Sequence, residues 1–225
     1  MNNIKQNLQS IYNNIAGEFS ASRKYAGPEL SVFIPYIQDN DKILDLGCGN
    51  GRLLNALKAA NKTFDYLGVD FSPDLIKHAK TAHPDQKFII SDMSDLDLAG
   101  QSFDAVFVIA TFHHLDTKKE RIDLLKKINT WLAPGGFLFM TNWDLWQPKY
   151  LKDYFYNFWQ KKSYKDFFVS WQMYSDTKGK FWRYYHSFSL KELKKLLTQA
   201  GFDLQPKSVY KTGHNIYCLA QKSRK

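Results

Sequence analysis

Short apolar runs and helix-like segments alternate along most of this chain. The runs predict strands at 42–46, 64–70, 87–90, 103–110 and 137–143, with two more around 202–210 and 216–220. Apolar side chains at helical spacing fill 52–60, 72–82 and 117–132. This alternation predicts an α/β fold, doubly wound and Rossmann-like, with a mainly parallel seven-stranded sheet and helices on both faces. The ligand crevice is then expected at the carboxyl ends of the strands.

Helix-start signals support these boundaries. Ser72 stands before a proline, a common way for a helix to begin. Thr117 with Glu120, and Ser189 with Glu192, have the spacing of a capping box, in which each residue's side chain bonds the other's backbone.

The segment 145–188 departs from this alternation of strands and helices, and it holds 17 of the chain's 36 aromatic residues. It predicts an aromatic-rich helical insertion after the fifth strand. We favour a lid whose rings form its own core, since the rings have helical spacing; they are Tyr154, Phe155, Phe158 and Trp159. The other interpretation is a face that stacks on unpaired bases while basic side chains meet phosphates. Those side chains are Lys161, Lys162 and Lys165.

The sharpest local motif is DLGCGNG at 45–51, a glycine-rich turn between a strand and a helix. Glycines there let the backbone come close to a ligand, and the helix N-terminus adds a positive dipole. Dinucleotide enzymes use a similar turn, but their pattern requires a further glycine where this chain has Arg52. Asp70 ends the next strand, where an acid can hold ribose hydroxyls. Asp92 follows the third strand, where a carboxylate can accept a hydrogen bond from an adenine amino group.

Together with GVD at 68–70, SDM at 91–93 and the LAPGG turn at 132–136, this loop resembles the class I S-adenosylmethionine-dependent methyltransferases over residues 40–143. The resemblance implies S-adenosyl-L-methionine as cofactor. By the family pattern Asp45, Gly47 and Gly49 line its methionine part, Asp70 binds the ribose, and Asp92 and Met93 flank the adenine. The expected cofactor set is completed by Leu46, Cys48, Phe71 and Ala110.

Three further stretches narrow the resemblance. YNNIAGEFSASR at 12–23, FHHLDTKKER at 112–121 and RYYHSFSLKELKKLL at 183–197 are similar to methyltransferases that esterify 5-carboxymethyluridine at the tRNA wobble position. The last strand differs, since Ile216 stands where that family usually has tryptophan. The resemblance implies tRNA as partner, and relatives in eukaryotes and archaea have a small zinc-binding activator protein.

A carboxylate acceptor has a pKa near 4, so it arrives ionised and requires a cation instead of a general base. Arg23 and Arg183 are the candidates, because a guanidinium holds a carboxylate through two hydrogen bonds. Each has a structural alternative: Arg23 as a solvated surface residue, Arg183 as a cation stacked on aromatic rings. Tyr184 and Tyr185 are expected beside the substrate.

His113 and His114 follow the fourth strand, close to where the family places the reacting sulfur. We expect one of them to face the substrate, with His113 preferred, and count both as catalytic candidates. Neither has further ligands at metal spacing, and Cys48 and Cys218 are the only cysteines, so no metal site is expected.

The chain has 31 Lys and Arg against 22 Asp and Glu, a net charge of +9 that favours a phosphate-bearing partner. No apolar run has the length of a membrane span, and the N-terminus lacks a signal-peptide pattern, so we expect a cytoplasmic protein with no membrane contact. One domain is expected, in four parts: N-terminal helices at 1–40, a cofactor-binding half at 41–144, the insertion at 145–188, and a C-terminal helix with the last strands at 189–225.

Three functions remain open from the sequence. The first is a tRNA wobble-uridine carboxyl methyltransferase. The second is a small-molecule O-, N- or C-methyltransferase, in which the insertion is a hydrophobic lid. The third is a non-catalytic RNA-binding protein of the same fold, which the intact cofactor motifs argue against.

Overall fold

The computed structural model describes residues 4–23, 25, 27–156, 159, 161, 163–172 and 180–224. Phe158 and Lys162, named above within the insertion, lie outside these ranges. The helices are α1 (Ile4–Ser22), α2 (Pro28–Ser31), α3 (Arg52–Ala59), α4 (Pro73–Ala82), α5 (Lys118–Trp131), α6 (Leu151–Tyr156) and α7 (Leu190–Gln199). The strands are β1 (Asp41–Leu46), β2 (Phe64–Asp70), β3 (Lys87–Ile90), β4 (Phe103–Ile109), β5 (Leu132–Trp143), β6 (Asp166–Gln172), β7 (Lys180–His186), β8 (Phe202–Asp203), β9 (Val209–Thr212) and β10 (Asn215–Lys222).

The main sheet has the strand order β3-β2-β1-β4-β5-β10-β8, and β9 also pairs with β10. Strands β1 to β5 are parallel, while β10 is antiparallel to β5. The predicted doubly wound α/β fold is confirmed. The strand predicted at 202–210 is divided by a turn into β8 and β9, so the described sheet has eight strands where seven were expected.

Two apolar clusters cover the two faces of this sheet. One joins the sheet to α5 and α7, with Leu125, Ile128 and Leu197 fully buried. The other joins it to α2 and α3, with Leu30 and Leu54 fully buried. Because both faces are covered, the strands consist of nearly continuous apolar residues.

The helix-start predictions hold at two sites and fail in part at the third. The Ser72 hydroxyl accepts from the Leu75 amide, and Thr117 with Glu120 forms the full capping box. The Ser189 hydroxyl accepts from the Glu192 amide, but the Glu192 carboxylate does not return to the backbone. It contacts His186 and Lys165 instead.

The predicted helical insertion is largely wrong. Its described residues form one short helix, α6, and an antiparallel ribbon in which β6 pairs with β7. The physical reason lies in FFVSWQ and KFWRYYH, where ring-bearing side chains suit a pleated ribbon better than a helix. The ribbon places Arg183, Tyr184 and Tyr185 on β7.

Helix α1 packs across α4 and β7 and completes the fold above the strand ends. Its buried face consists of Leu8, Ile11, Tyr12, Ile15 and Ala16, at helical spacing. Helix α1 therefore covers the region in which the ligand crevice was expected.

Candidate active site

A cavity that is open to solvent on one side lies between the carboxyl ends of the parallel strands and α1. Loops after β1, β2, β3 and β4 form its floor, and α1 and the ribbon form its cover. The predicted location of the crevice agrees with the structure.

The glycine loop after β1 forms one wall. Gly47 has a φ of 74° and Gly49 a φ of 56°, values in the left-handed region. A Cβ atom on Gly47 would lie 2.3 Å from a side-chain carbon of Thr111, so no larger residue fits there. The loop thus brings bare backbone to the cavity, as a close-fitting ligand requires.

Asp70 lies at the end of β2 on the cavity wall. Its carboxylate accepts from the Gly49 amide and the Ser72 amide, each at 2.9 Å. Burial raises the pKa of Asp70 to about 6, although these backbone hydrogen bonds lower it. The carboxylate is therefore ionised at neutral pH, with lone pairs left to accept from hydroxyl groups.

Asp92 and Met93 follow β3 and also line the cavity. One oxygen of Asp92 accepts from the Ser94 amide at 2.7 Å, and the other lies 3.4 Å from the Lys5 ammonium. Lys5 belongs to α1 and also pairs with Glu120, at 3.1 Å. This ion pair fastens α1 at the edge of the cavity.

Phe71 and Ala110 line the cavity as expected. Ala110 has a φ of 53°, unusual for a residue with a Cβ atom, and its amide bonds to the Thr141 carbonyl at 3.0 Å. Such strain is often found where a backbone is shaped around a ligand.

Two residues of the expected cofactor set do not line the cavity. Asp45 lies beneath the glycine loop, 2% exposed, and accepts from the Tyr66 hydroxyl at 2.8 Å. Leu46 is fully buried in the core. As neighbours on β1 they face opposite sides of the sheet, and the cavity lies beyond the end of the strand, so neither side chain reaches it. Cys48 does line the cavity, and burial raises the pKa of its thiol, which keeps it unreactive.

Arg183, on β7, also lines the cavity and is only 2% exposed. Its guanidinium carbon lies 4.8 Å from the Trp171 ring centroid and 5.4 Å from that of Tyr185. Among the described residues no carboxylate forms an ion pair with it, and its Nε has no hydrogen-bond partner. A buried cation in this state is suited to an anionic ligand.

Arg23 follows α1 and lines the same cavity. Its guanidinium carbon is 3.9 Å from the centroid of the Phe19 ring. Burial lowers the pKa of Arg23, and Arg52 and Arg183 lower it further. The structure therefore brings Arg23 and Arg183 together, as the sequence predicted.

The preference for His113 over His114 was wrong as to which side chain faces the cavity. His114 lines the cavity, whereas His113 does not and packs beside the stacked rings of Trp143 and Tyr185. The two lie on one short turn, Phe112–His114, so neighbouring side chains diverge. Burial lowers the pKa of His114 to about 3, so it is neutral at pH 7.

Tyr184 and Tyr185 also diverge. Tyr185 lines the cavity and stacks on Trp143, with ring centroids 5.2 Å apart and an interplanar angle of 13°. Tyr184 does not line the cavity: its hydroxyl donates to Asp166 at 3.0 Å, inside the core. Its expected contact with a substrate is therefore corrected, and only its carbonyl reaches the site, through His114.

Sequence reasoning missed the contribution of α1, which supplies Lys5, Leu8, Tyr12 and Phe19 to the cavity. The signal available was the apolar stripe of this helix, which indicates burial but not what it is buried against.

The cavity fits the expected cofactor, because bare glycine backbone and two acidic side chains stand at successive strand ends. In the described ranges no group of three or more His, Cys, Asp and Glu side chains is arranged to hold a metal ion. None of the described helices has the length and apolar content to span a bilayer.

Comparison with known proteins agrees with this reading of the cavity. The methyltransferase domain family matches residues 44–140. The crystal structure of an S-adenosylmethionine-dependent methyltransferase from Methanosarcina mazei has a TM-score of 0.71 and 25% identity, over 86% of this chain and 98% of that one. The chain thus has the fold of class I S-adenosylmethionine-dependent methyltransferases and matches the methyltransferase domain family over residues 44–140.

Curated relatives are more specific. A tRNA (carboxymethyluridine(34)-5-O)-methyltransferase from Arabidopsis thaliana is 31% identical over 62% of this chain, which spans 33% of that relative's length. A methyltransferase from Encephalitozoon cuniculi is 29% identical over 87% of this chain and 86% of its own length. A chain from a complex of the Haloferax volcanii Trm112 methyltransferase activator shares the fold, with a TM-score of 0.66 and 16% identity over 96% of this chain and 97% of that one.

Proposed function

We propose that this enzyme transfers a methyl group to the carboxylate of 5-carboxymethyluridine at the wobble position of tRNA. The observation that carries the proposal is Arg183, a buried guanidinium at the cavity with no carboxylate in ion-pair distance among the described residues. A carboxylate substrate would supply the missing charge. The name of the Arabidopsis relative gives the same acceptor.

The cofactor, when bound, would supply a methyl group on a positively charged sulfur. A nucleophile in line with the carbon–sulfur bond can bond to that methyl carbon, and the sulfur leaves as a neutral thioether. Arg183 and Arg23 would hold the acceptor carboxylate through charge-assisted hydrogen bonds. No residue has to remove a proton, because the acceptor is ionised at neutral pH. Trp143 and Tyr185, stacked on each other, form an apolar wall that keeps water from this end of the cavity.

Surface features favour RNA over a small acid as the source of that carboxylate. The described part of the insertion exposes large rings outside the cavity, with Phe155 and Tyr164 each 67% exposed. Exposed rings stack on unpaired bases, and the net charge of +9 suits phosphates. Tyr154 and Phe167, by contrast, pack on each other at 4.9 Å, so the lid core and an RNA-facing surface coexist in this segment.

We propose a protein partner on the free edge of the sheet as well. Within the described sheet, β3 pairs only with β2, and it exposes Ile89 and Ile90. Apolar residues on an edge strand are usually covered. The small zinc-binding activator that the resemblance implies would fit there. We expect Ile90→Lys to abolish co-purification of that activator, and unchanged co-purification would contradict this site.

The direct test is mass spectrometry of nucleosides after incubation with labelled S-adenosylmethionine and tRNA carrying 5-carboxymethyluridine, with and without the activator. The natural enzyme should label that nucleoside as a methyl ester. Arg183→Ala should lower the rate roughly 100-fold or more, because a bidentate charged contact is lost. Its affinity for the cofactor should stay within about 1 kcal/mol, since Arg183 lies on the acceptor side.

Arg224→Ala, a change of the same type at an exposed position, is the matched control and should keep full activity. Cofactor binding without any label in tRNA, with the activator present, would overturn the tRNA proposal in favour of a small acidic substrate. A large loss of cofactor affinity in Arg183→Ala would show that this residue belongs to the cofactor side.

A further inference from the structure

The hydroxyl group of Tyr12 connects the residues that face the acceptor end of the cavity. Its oxygen lies 2.8 Å from Nε2 of His114 and 3.4 Å from Nη1 of Arg183. Tyr12, His114, Arg183 and Tyr185 all line the cavity. One hydroxyl thus links α1, the turn after β4, and β7.

The chemistry of the neighbours fixes the direction of each hydrogen bond. Nδ1 of His114 lies 2.7 Å from the Tyr184 carbonyl oxygen, which can only accept. Nδ1 therefore carries the proton, and in the neutral ring Nε2 is a bare acceptor. The ring is neutral because burial holds its pKa at about 3. The Tyr12 hydroxyl must then donate to Nε2.

With its proton committed to His114, the Tyr12 oxygen is left with two lone pairs. It accepts a hydrogen bond from Nη1 of Arg183. Nε of Arg183 has no partner among the described residues. The Nε edge of the guanidinium therefore has hydrogen-bonding capacity left for a ligand.

We propose that His114 and Tyr12 form an uncharged chain of hydrogen bonds, called the relay below, that orients Arg183. The Nε edge of the Arg183 guanidinium then faces the acceptor carboxylate. Tyr12 is then a positioning residue, and His114 is the acceptor that sets the direction of the Tyr12 hydroxyl. This assignment rests on the proposed function in one respect: the ligand of Arg183 is taken to be the acceptor carboxylate. Both ring nitrogens of His114 are occupied, so His114 has no lone pair with which to act as a general base.

Tyr12→Phe removes the hydrogen bonds of the relay and leaves the packing of the ring unchanged. The ring that lies edge-on to Phe19, with centroids 5.6 Å apart, is kept. Loss of one hydrogen bond to a charged group should lower kcat/KM for carboxymethyluridine tRNA roughly 10- to 100-fold, with the affinity for S-adenosylmethionine unchanged. Tyr36→Phe, at a half-exposed position outside the cavity, is the matched control and should behave as the natural enzyme. Unchanged kcat and KM in Tyr12→Phe would overturn the relay, as would a loss confined to cofactor affinity.

His114 offers a second discriminating pair of variants. The amide of His114→Gln can still accept from Tyr12, so it should stay within about 10-fold of the natural rate, whereas His114→Ala should match Tyr12→Phe. The double variant with Tyr12→Phe should lose little more, because both changes break one network. A general base would instead give a loss of roughly 100-fold or more in His114→Gln, and a rate that depends on pH near neutrality.

A readout without substrate keeps the relay testable by itself. In protein with ¹⁵N-labelled histidine, His114 should remain the neutral Nδ1–H tautomer down to about pH 4, and Tyr12→Phe should shift only its Nε2 resonance. A doubly protonated or Nε2–H ring near pH 7 would overturn the relay. A natural enzyme that shows the expected tautomer yet methylates no carboxylate would contradict the proposed function alone.

Discussion

Asp45 lies beneath the glycine loop, in a buried site where few groups stabilise an ionised carboxylate. Its described hydrogen bond comes from the Tyr66 hydroxyl, and burial raises its pKa to about 7. At neutral pH the folded protein is thus near the point where this carboxyl group takes up a proton, whereas the unfolded chain loses that proton near pH 4.

This difference predicts a pH dependence. From about pH 4 to pH 7 the folded state holds a proton that the unfolded state has lost, so stability falls as the pH rises. Asp45→Asn keeps an acceptor for Tyr66 and removes the charge. We expect the cofactor-free variant to be about 1–3 kcal/mol more stable at pH 8 and equal to the natural protein near pH 4.

Denaturant unfolding at several pH values measures this change. Asp65→Asn, on the exposed part of the same sheet, is the control and should alter neither curve. If Asp45→Asn were less stable at pH 8, the carboxylate would have a charged partner that favours its ionised form.

Single residues also show where the sequence stops being informative. The glycine loop and Asp70 were predictable because their roles depend on backbone conformation and on position at a strand end. The choice between His113 and His114 was not, because it depends on how one turn is rotated. The two adjacent histidines of this short turn look alike in the sequence, but their side chains have different surroundings.

Among the elements, the ribbon of β6 and β7 is held to the body of the protein by a cluster of charged groups. His186 places Nδ1 3.2 Å from Asp166 and Nε2 3.0 Å from Glu192. Lys165 lies 2.6 Å from the same Glu192. Glu192 lies in the first turn of α7, so these contacts fasten the strand that carries Arg183 to the C-terminal helix.

We expect Glu192→Gln to loosen this attachment. Burial raises the pKa of Glu192, but hydrogen bonds from His186 and Lys165 outweigh it and lower the pKa to about 2. An acid with a lowered folded pKa contributes stability above its unfolded pKa, near 4.5, and loses it as the pH falls toward 2. The variant should lose about 1–2 kcal/mol at pH 7, after allowance for its partial exposure.

Acid titrations of stability check this expectation, because the natural protein should lose that contribution between about pH 4.5 and pH 2 and the variant should not. The control is Asp123→Asn, which removes an exposed helix pair with Lys119 and should have no measurable effect. Equal unfolding curves for the natural protein and Glu192→Gln would contradict the attachment.

The ribbon is also the element that sequence reasoning misjudged. The helical prediction rested on rings at 154–159, of which Tyr154 and Phe155 do lie in α6, and it was extended to the whole insertion. The pairing of β6 with β7 is a contact between strands that no local pattern specifies. The parallel strands were easier to predict, because each is a short apolar run between helix signals. Local periodicity is therefore a good guide to the sheet and a poor guide to the cover above it.

For the whole molecule, the net charge of +9 and the exposed rings make a prediction about salt. If tRNA is the substrate, its affinity should fall steeply with salt, with a slope of about −3 or steeper in a plot of log affinity against log salt concentration. The affinity for S-adenosylmethionine provides the internal control and should change little. A slope near zero for tRNA would favour a small acceptor.

The acceptor site and the cofactor site differ in how they are encoded. The expected cofactor residues lie at or just after strand ends within the segment 45–110, which is why a linear motif finds them. The proposed acceptor residues come from α1, the turn after β4, and β7, and meet only in the folded chain. Tyr12 and Arg183 are 171 positions apart, so neither carries a signature of the other.

That separation also has a consequence for biosynthesis. A ribosome completes the glycine loop and the first parallel strands long before it reaches β7. A growing chain can therefore acquire the cofactor pocket while it still has no place for an acceptor. Under the proposed function, the site for the acceptor is complete only when the ribbon has left the ribosome and packs against α1.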